Sequence, residues 1–294
     1  MPIRNLFIKK IIPQRFERVL REIRDNYFRK YKIEKLPKAI YSEKQDFHSI
    51  SFCITCMNRL FHLRNTLEKN ILDNQSYKNV EFTVVNYNSK DKLDDWMRKN
   101  MQKYIDQGLL NYYRTDEPES FHASIAKNLS HRVARGKIVC NLDGDNFTGK
   151  DFAFYINYLF NQYTDDILLQ FTKKPFWGTE GRIVLTKENF LKIGGYDEAL
   201  LPIGHEDHDL INRAKASGLA YHNIQIENFL KYLSNTEKEK AENCADGKTS
   251  YYQLENTNRK ISNDNISKGQ LKANPGGMKK FKLYKNFSEQ PEIY

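Results

Sequence analysis

The feature that most constrains this chain is an alternation that begins near residue 47 and then repeats. "SISFCIT" (49–55) reads as a strand and is followed by helical spacing from Arg59 to Leu72. "VEFTVVN" (80–86) precedes the helical "KLDDWMRKNMQKYI", "LLNYYRT" precedes "ASIAKNLSHRVAR", and "KIVCNL" opens a fourth unit. Repeated strand–helix units of this kind build a parallel sheet covered by helices. The expected class is therefore α/β, with a mostly parallel central sheet flanked by helices. Ligands of such sheets bind beyond the carboxyl ends of the strands, so the residues that follow each strand matter most.

One strand end stands out. In "VCNLDGDNF" (139–147) an apolar strand stops at Asp143 and Asp145, separated only by Gly144. Residues i and i+2 leave an extended strand on the same side, and glycine lets the backbone come close to a ligand. Two such carboxylates suit Mg²⁺ or Mn²⁺, which take one or two protein oxygens and complete their shell with water and phosphate. The alternative is an ordinary turn, where Asp, Gly and Asn are common. A calcium EF-hand loop fails at Phe147 and Thr148, and a phosphatase D-x-D-x-[TV] pattern fails at Phe147.

The second informative run is "GHEDHDLINRAKASG" (204–218), a loop glycine followed by acids in the first turn of a helix that stops at Gly218. Acids at a helix start are stabilised by the macrodipole. That accounts for one or two of them, but not for Glu206, Asp207 and Asp209 crowded with His205 and His208, a density suited to a base and hydrogen-bond acceptors facing a ligand. His222 follows in "GLAYHNI", in an expected strand.

Charge divides the chain. Residues 1–38 carry a net +8, residues 39–235 a net −1 and residues 236–294 a net +3. A nearly neutral middle argues against nucleic acid as a partner of the folded domain. Leu6, Ile11, Phe16, Leu20, Ile23 and Tyr27 recur at helical spacing among arginines. That basic amphipathic helix either lies on an anionic membrane surface or packs on the domain with a solvated face. No apolar run approaches the ~20 residues that span a bilayer and no secretory signal fits, so the chain is expected in the cytosol, with peripheral contact at the cytoplasmic face through residues 1–38. Cys53 and Cys56 lie in a strand without a second C-x-x-C, so they and Cys140 and Cys244 read as buried thiols rather than zinc or redox ligands. Three segments are expected: a basic helical extension (1–46), one catalytic domain (47–235) and a polar, weakly structured tail (236–294).

Taken together, "TCMNR", "ASIAKNLSHRVARGKIVCNLDGDN" and the run from "KIGGYDEAL" to "GHEDHDL" resemble inverting glycosyltransferases of the GT-A fold. The N-terminal half is similar to family 2, the C-terminal half to the galactosyltransferase and chondroitin-polymerase type, over residues 48 to about 228. The resemblance implies a Rossmann-like GT-A fold and a sugar transferred from a nucleoside diphosphate, UDP first among them, to a glycan or lipid-linked glycan in surface polysaccharide synthesis. It implies that Thr55 and Arg59 hold the nucleotide, that Asp143 faces ribose and metal, and that Asp145 and His222 bind Mn²⁺ or Mg²⁺. Asp207 matches the general base, and Glu206 its neighbour at the acceptor sugar. Trp177, before Gly178, is either a sugar platform or a core tryptophan.

The chain also departs from the pattern. Where relatives end the second strand with an aspartate it has Asn86, leaving Asp91 as the nearest acid, and where they keep an arginine near the nucleotide it offers His122 and Lys127. Ile203 replaces a tryptophan before the acidic motif. Two rival functions remain: a metal-dependent hydrolase using His205, Asp207, His208 and His222, and a non-catalytic binder of anionic polysaccharide or lipid.

Overall fold

The computed structural model describes residues 36–173, 177–244 and 250–294, so the expected basic helix within residues 1–35 lies outside the described residues. The four expected strands are β1 (Ile50–Cys56), β2 (Val80–Tyr87), β3 (Leu110–Thr115) and β4 (Ile138–Asn141). Between them run α1 (Leu60–Asn74), α2 (Leu93–Asn100), α3 (Gln102–Asp106) and α4 (Ala123–Val133). The expected helix after β2 is two, because the backbone at Met101 (φ −109°, ψ −4°) leaves the helical region. The chain continues through α5 (Phe152–Gln162), β5 (Ile167–Phe171), β6 (Ile183–Thr186), α6 (Lys187–Lys192), α7 (Glu206–Ala216) and β7 (Ala220–Ile224). It closes with α8 (Glu237–Ala241), α9 (Tyr251–Ser267), β8 (Lys282–Lys285) and β9 (Pro291–Ile293).

Among the described residues these strands form one sheet in the order β7-β5-β6-β4-β1-β2-β3-β8-β9. β4, β1, β2 and β3 are parallel, and β6 enters antiparallel between β4 and β5. The alternation of side chains sorts the core. Phe52, Ile54, Phe82 and Val84 face α1, α2 and α5 with Leu63, Leu67, Met97 and Phe152. Cys53, Val139 and Leu185 face α7 with Leu210 and Ala214, and Val85 and Tyr113 face α4 with Leu129 and Val133. Strands buried on both faces need the near-continuous apolar runs seen in the sequence. Burying each large side chain contributes about 1.5–3 kcal/mol. The four cysteines are buried and unpaired, as their sequence context predicts. No described helix is long and apolar enough to cross a membrane.

Two expected boundaries shift. Residues 36–46 belong to the domain rather than to the extension: Ile40 is buried, and Tyr41 donates to Asp151 at 2.6 Å and packs on Phe154. The described part of the tail is ordered, with β8 pairing on β3 and β9 on β8. Helix α9 docks largely through amide bonds. Buried Asn258 donates to the Gly204 carbonyl at 2.7 Å and accepts from the Leu201 amide at 2.7 Å. Asn274 donates to the Gly194 and Tyr196 carbonyls, both at 2.7 Å. A polar sequence therefore packs tightly without an apolar stripe.

The loop carrying Asp143 and Asp145 is held from α1 by Thr66, Asn70 and Asn74, four residues apart and so on one helical face. Thr66 donates to the Gly144 carbonyl at 2.7 Å. Asn70 donates to the Asn146 carbonyl and accepts from the Thr148 amide, both at 2.8 Å. Asn74 donates to Thr148 Oγ1 and accepts from the Ala153 amide, again at 2.8 Å. Replacing Asn70 with alanine strands buried backbone groups, each costing about 1–3 kcal/mol. A clear drop in urea midpoint is expected in an unfolding titration, whereas Asn70→Asp should retain the bond from the Thr148 amide and lose only the donated one.

Candidate active site

The carboxyl ends of β1 and β4 meet the start of α7. Asn141, the last residue of β4, donates to Asp143 Oδ1 at 3.1 Å and to the Gly181 carbonyl at 2.8 Å. A Cβ placed on Gly181 would lie 2.8 Å from Asp143 Oδ2 and 2.9 Å from Asp207 Oδ2. Those two oxygens therefore border one methyl-sized space, which only glycine leaves open.

Asp207 is partly buried, and Lys127 of α4 donates to its Oδ1 at 2.7 Å. Lys127 also donates to Glu206 Oε1 at 2.9 Å, and Glu206 Oε2 accepts from the Gly204 amide at 2.9 Å. Burial pushes the Asp207 carboxyl up to about 7; Lys127 opposes this, and Glu206 and Asp143 add to it. Glu206 is held low, because the nearby Lys127 ammonium and the backbone amides outweigh its burial. The acids crowded in "HEDHD" thus separate into different tasks. Asp209 is fully buried against Arg213, whose Nε lies 2.8 Å from Asp209 Oδ2 and whose other nitrogens bond the Ile193 and Gly195 carbonyls. His205 and His208 stack on each other, with centroids 5.4 Å apart.

On the other side of Asp143, Asp145 accepts from Asn146 at 2.6 Å and from the Asn235 side chain, and its carbonyl accepts from the Leu233 amide at 2.8 Å. Burial pushes the Asp145 carboxyl up to about 6, with the neighbouring Asp143 as the second cause. Beneath the loop lies Arg182, fully buried, donating to Asn146 Oδ1 at 2.8 Å and pushed down by burial to about 10. Four carboxylates thus surround two buried cations, Lys127 and Arg182. Negative charge in excess, carried by oxygen ligands, is the chemistry of a hard divalent cation. Asp143 and Asp145 fit such an ion, and Asn235 beside them turns its Nδ2 to Asp145 and its Oδ1 to Arg59 Nη1 at 3.1 Å.

The structure gives several expected site residues other tasks. His222 is not beside Asp145. It stacks on Tyr163, with centroids 4.3 Å apart, in the edge strand β7, and β5 and β6 separate it from β4. Three strand spacings are about 14 Å. The side chain beside Asp145 is instead that of Asn235, eleven residues after the end of β7, whose amide nitrogen donates to the Asp145 carboxylate. Lys127 is engaged by the acidic pair Glu206 and Asp207. His122, at the start of α4, shares a hydrogen bond with the Leu200 carbonyl at 3.0 Å, and burial lowers its pKa. The Asp91 carboxylate accepts from the Leu60 and Leu93 amides at 2.9 and 3.2 Å, so it caps two helices. Asn86 is likewise spent on Asp94, Tyr112 and the Ser89 amide. The Glu206 oxygens accept from Lys127 and from the Gly204 amide, which ties this carboxylate to the Lys127–Asp207 contact. Thr55, one residue before the end of β1, lies beside Gly144, and Arg59 reaches the site through Asn235. Gly178 has no room for a side chain against the Tyr232 ring, and its carbonyl accepts from Asn146 at 2.9 Å. The Trp177 side chain lies outside the described residues.

Comparison with known proteins adds to this geometry. Residues 164–236 match the family described as the N-terminal domain of galactosyltransferase. No curated protein sequence matches the chain. Among solved structures, it is similar to the mannosyltransferase PcManGT from Pyrobaculum calidifontis in complex with GDP-Man and Mn²⁺ (TM-score 0.55, 14% identity, 86% of this chain and 79% of that one). It is also similar to S. aureus TarS 1–349 (TM-score 0.51, 15% identity, 78% and 76%) and to TarS 1–349 in complex with UDP (TM-score 0.50, 13% identity, 74% and 72%). The fold is the GT-A fold of these glycosyltransferases.

Proposed function

We propose that the chain, a glycosyltransferase by its fold and by its matched segment, moves a hexose from a nucleoside-diphosphate donor to a hydroxyl of a glycan or lipid-linked glycan in one inverting step. The observation that carries this reading is Asp207 Oδ2, a carboxylate oxygen free of the Lys127 bond, facing Asp143 across the space beside Gly181. A base and a donor-side aspartate on the two sides of one small opening suit an acceptor hydroxyl attacking a bound sugar.

The chemistry follows from this chain's own side chains. Asp207 takes the acceptor proton at Oδ2 while Lys127, itself held by Glu206, fixes the carboxylate through Oδ1. Asn141 orients Asp143, and the α1 polar stripe holds the loop beneath both aspartates. Asp143 and Asp145, with Asn235 nearby, would hold Mn²⁺ or Mg²⁺, which supplies positive charge to the leaving diphosphate when bound. Arg59 and Thr55 border the same cradle. UDP and GDP are the first nucleotides to try, since a relative in complex with each shares the fold. The hydrolase reading loses support because its histidines are dispersed: His222 lies at the sheet edge, and His205 and His208 stack on each other.

A thermal-shift panel of UDP- and GDP-sugars, with and without Mn²⁺, tests this reading. A ligand at a hundred times its Kd adds about 2.7 kcal/mol to apparent stability. One donor is expected to raise the midpoint only with Mn²⁺, and Asp145→Asn should remove that metal-dependent part. The absence of any shift from any nucleotide would sink the reading.

A further inference from the structure

The segment from Leu233 to Cys244 crosses the carboxyl ends of the strands and is tied down on both sides. At one end the Leu233 amide bonds the Asp145 carbonyl, and Asn235 joins Asp145 to Arg59. At the other, Asn243 donates to the Met57 carbonyl at 3.2 Å, accepts from Asn58 at 2.8 Å, and gives its carbonyl to the Phe121 amide at 2.7 Å. The middle is α8, whose start is fixed reciprocally by Thr236 and Glu239. This strap therefore spans from β4 to the loops after β1 and β3, above the expected donor cradle.

Its charges are not equivalent. Glu239 is consumed by the Thr236 amide at 2.6 Å. Lys240 is exposed and has no carboxylate partner among the described residues. Its ammonium lies 5.2 Å from the centre of the Tyr251 ring, at the start of α9. Tyr251 in turn lies within electrostatic reach of Glu206 and Asp207, and Lys240 within reach of Asp145. A cation without a carboxylate partner among the described residues thus lies within electrostatic reach of the donor-side Asp145, on a chain segment anchored to both flanks. A diphosphate leaving a sugar beside Asp207 gains charge in this region, and a lysine ammonium is a strong partner for phosphate oxygens.

We propose that Lys240 binds the diphosphate of the nucleotide-sugar donor, reaching down from the Leu233–Cys244 strap. This rests on the glycosyltransferase reading above and names a residue that neither the sequence motifs nor the comparisons assign. The Tyr251 ring holds the ammonium at the rim of the cradle, and the long side chain carries it from ring to phosphate when donor arrives.

The test is a calorimetric titration of the full chain with UDP and with GDP, each in the presence of Mn²⁺. For whichever diphosphate the wild type binds, Lys240→Met is expected to weaken affinity by about ten- to a hundredfold. Lys240→Arg should restore most of it, and the unfolding midpoint of Lys240→Met without ligand should equal that of the wild type. Equal affinity of Lys240→Met and wild type overturns the proposal while leaving the glycosyltransferase reading intact. A wild type that binds neither diphosphate overturns both.

Discussion

Replacing Asp207 with asparagine is expected to lower sugar transfer by roughly 10²–10⁴-fold, the usual contribution of a positioned general base, while donor binding and the fold persist. Asparagine keeps an oxygen for Lys127, so the Lys127–Glu206 contact survives. The pH dependence carries a sign. With its carboxyl pushed up to about 7, Asp207 is ionised and able to accept a proton above that pH, and loses this ability below it. Wild-type turnover should therefore fall about tenfold per pH unit on the acid side of about 7, and Asp207→Asn should lack that limb. Stability runs the other way. A carboxyl whose folded pKa is raised destabilises the fold where it is ionised, so Asp207→Asn should be no less stable than wild type at pH 8 and lose any advantage progressively as the pH falls from about 7 toward the ordinary carboxylate range. Calorimetric unfolding beside a rate profile checks both. Near-normal turnover in a well-folded Asp207→Asn protein removes Asp207 from the role of base.

The parts of this architecture that rest on apolar periodicity were readable from the chain alone. β1 to β4, α4 and α7 fall where "SISFCIT", "VEFTVVN", "LLNYYRT", "KIVCNL", "ASIAKNLSHRVAR" and "GHEDHDLINRAKASG" place them, because strands buried on both faces leave near-continuous apolar runs and helices packed on them leave a period-3.6 signal. What was missed is held by amides. Asn258 and Asn274 dock the C-terminal segment onto the loop before α7, and nothing in "NTNRKISNDNISKGQLKANPGG" separates such asparagines from solvated ones. Thr66, Asn70 and Asn74 did leave a signal, a polar stripe with a four-residue repeat on an otherwise apolar helix face.

The site divides in the same way. Asp143, Asp145 and Asp207 come together because each follows a strand end or opens a helix at the same edge of the sheet. His222 is expected beside Asp145 from its order after α7, but the sheet order puts β7 at an edge, and the path of the chain back to Asp145 brings Asn235 there. Lys127 is expected near the nucleotide because it lies in the motif where relatives keep an arginine for that task, and α4 brings its ammonium to Glu206 and Asp207 of α7.

Lys127→Met should have the other large effect, and on both stability and rate. Lys127 is about 5% exposed and is shared by the buried Glu206 and the partly buried Asp207 at 2.9 and 2.7 Å. Removing one member of such a group leaves uncompensated charge, with a typical cost of about 3–5 kcal/mol. The size of that loss depends on pH in a defined direction. Without the ammonium, the Glu206 and Asp207 pKa values both rise, because Lys127 is what opposes their burial. Their ionised forms then weaken the fold most at high pH, and protonation relieves part of the loss as pH falls through the raised values. In Lys127→Met the urea midpoint should therefore fall most at pH 8 and recover toward pH 5. The acid limb of transfer should move upward from about 7, since the base is now protonated at neutral pH. A nucleotide-binding role for Lys127 gives a different pattern: weaker donor affinity, with an unmoved limb and little change in stability. Measuring the unfolding midpoint and the rate profile of this one variant separates the two roles, and a limb that stays at about 7 in a protein of wild-type stability would release Lys127 from the acidic pair.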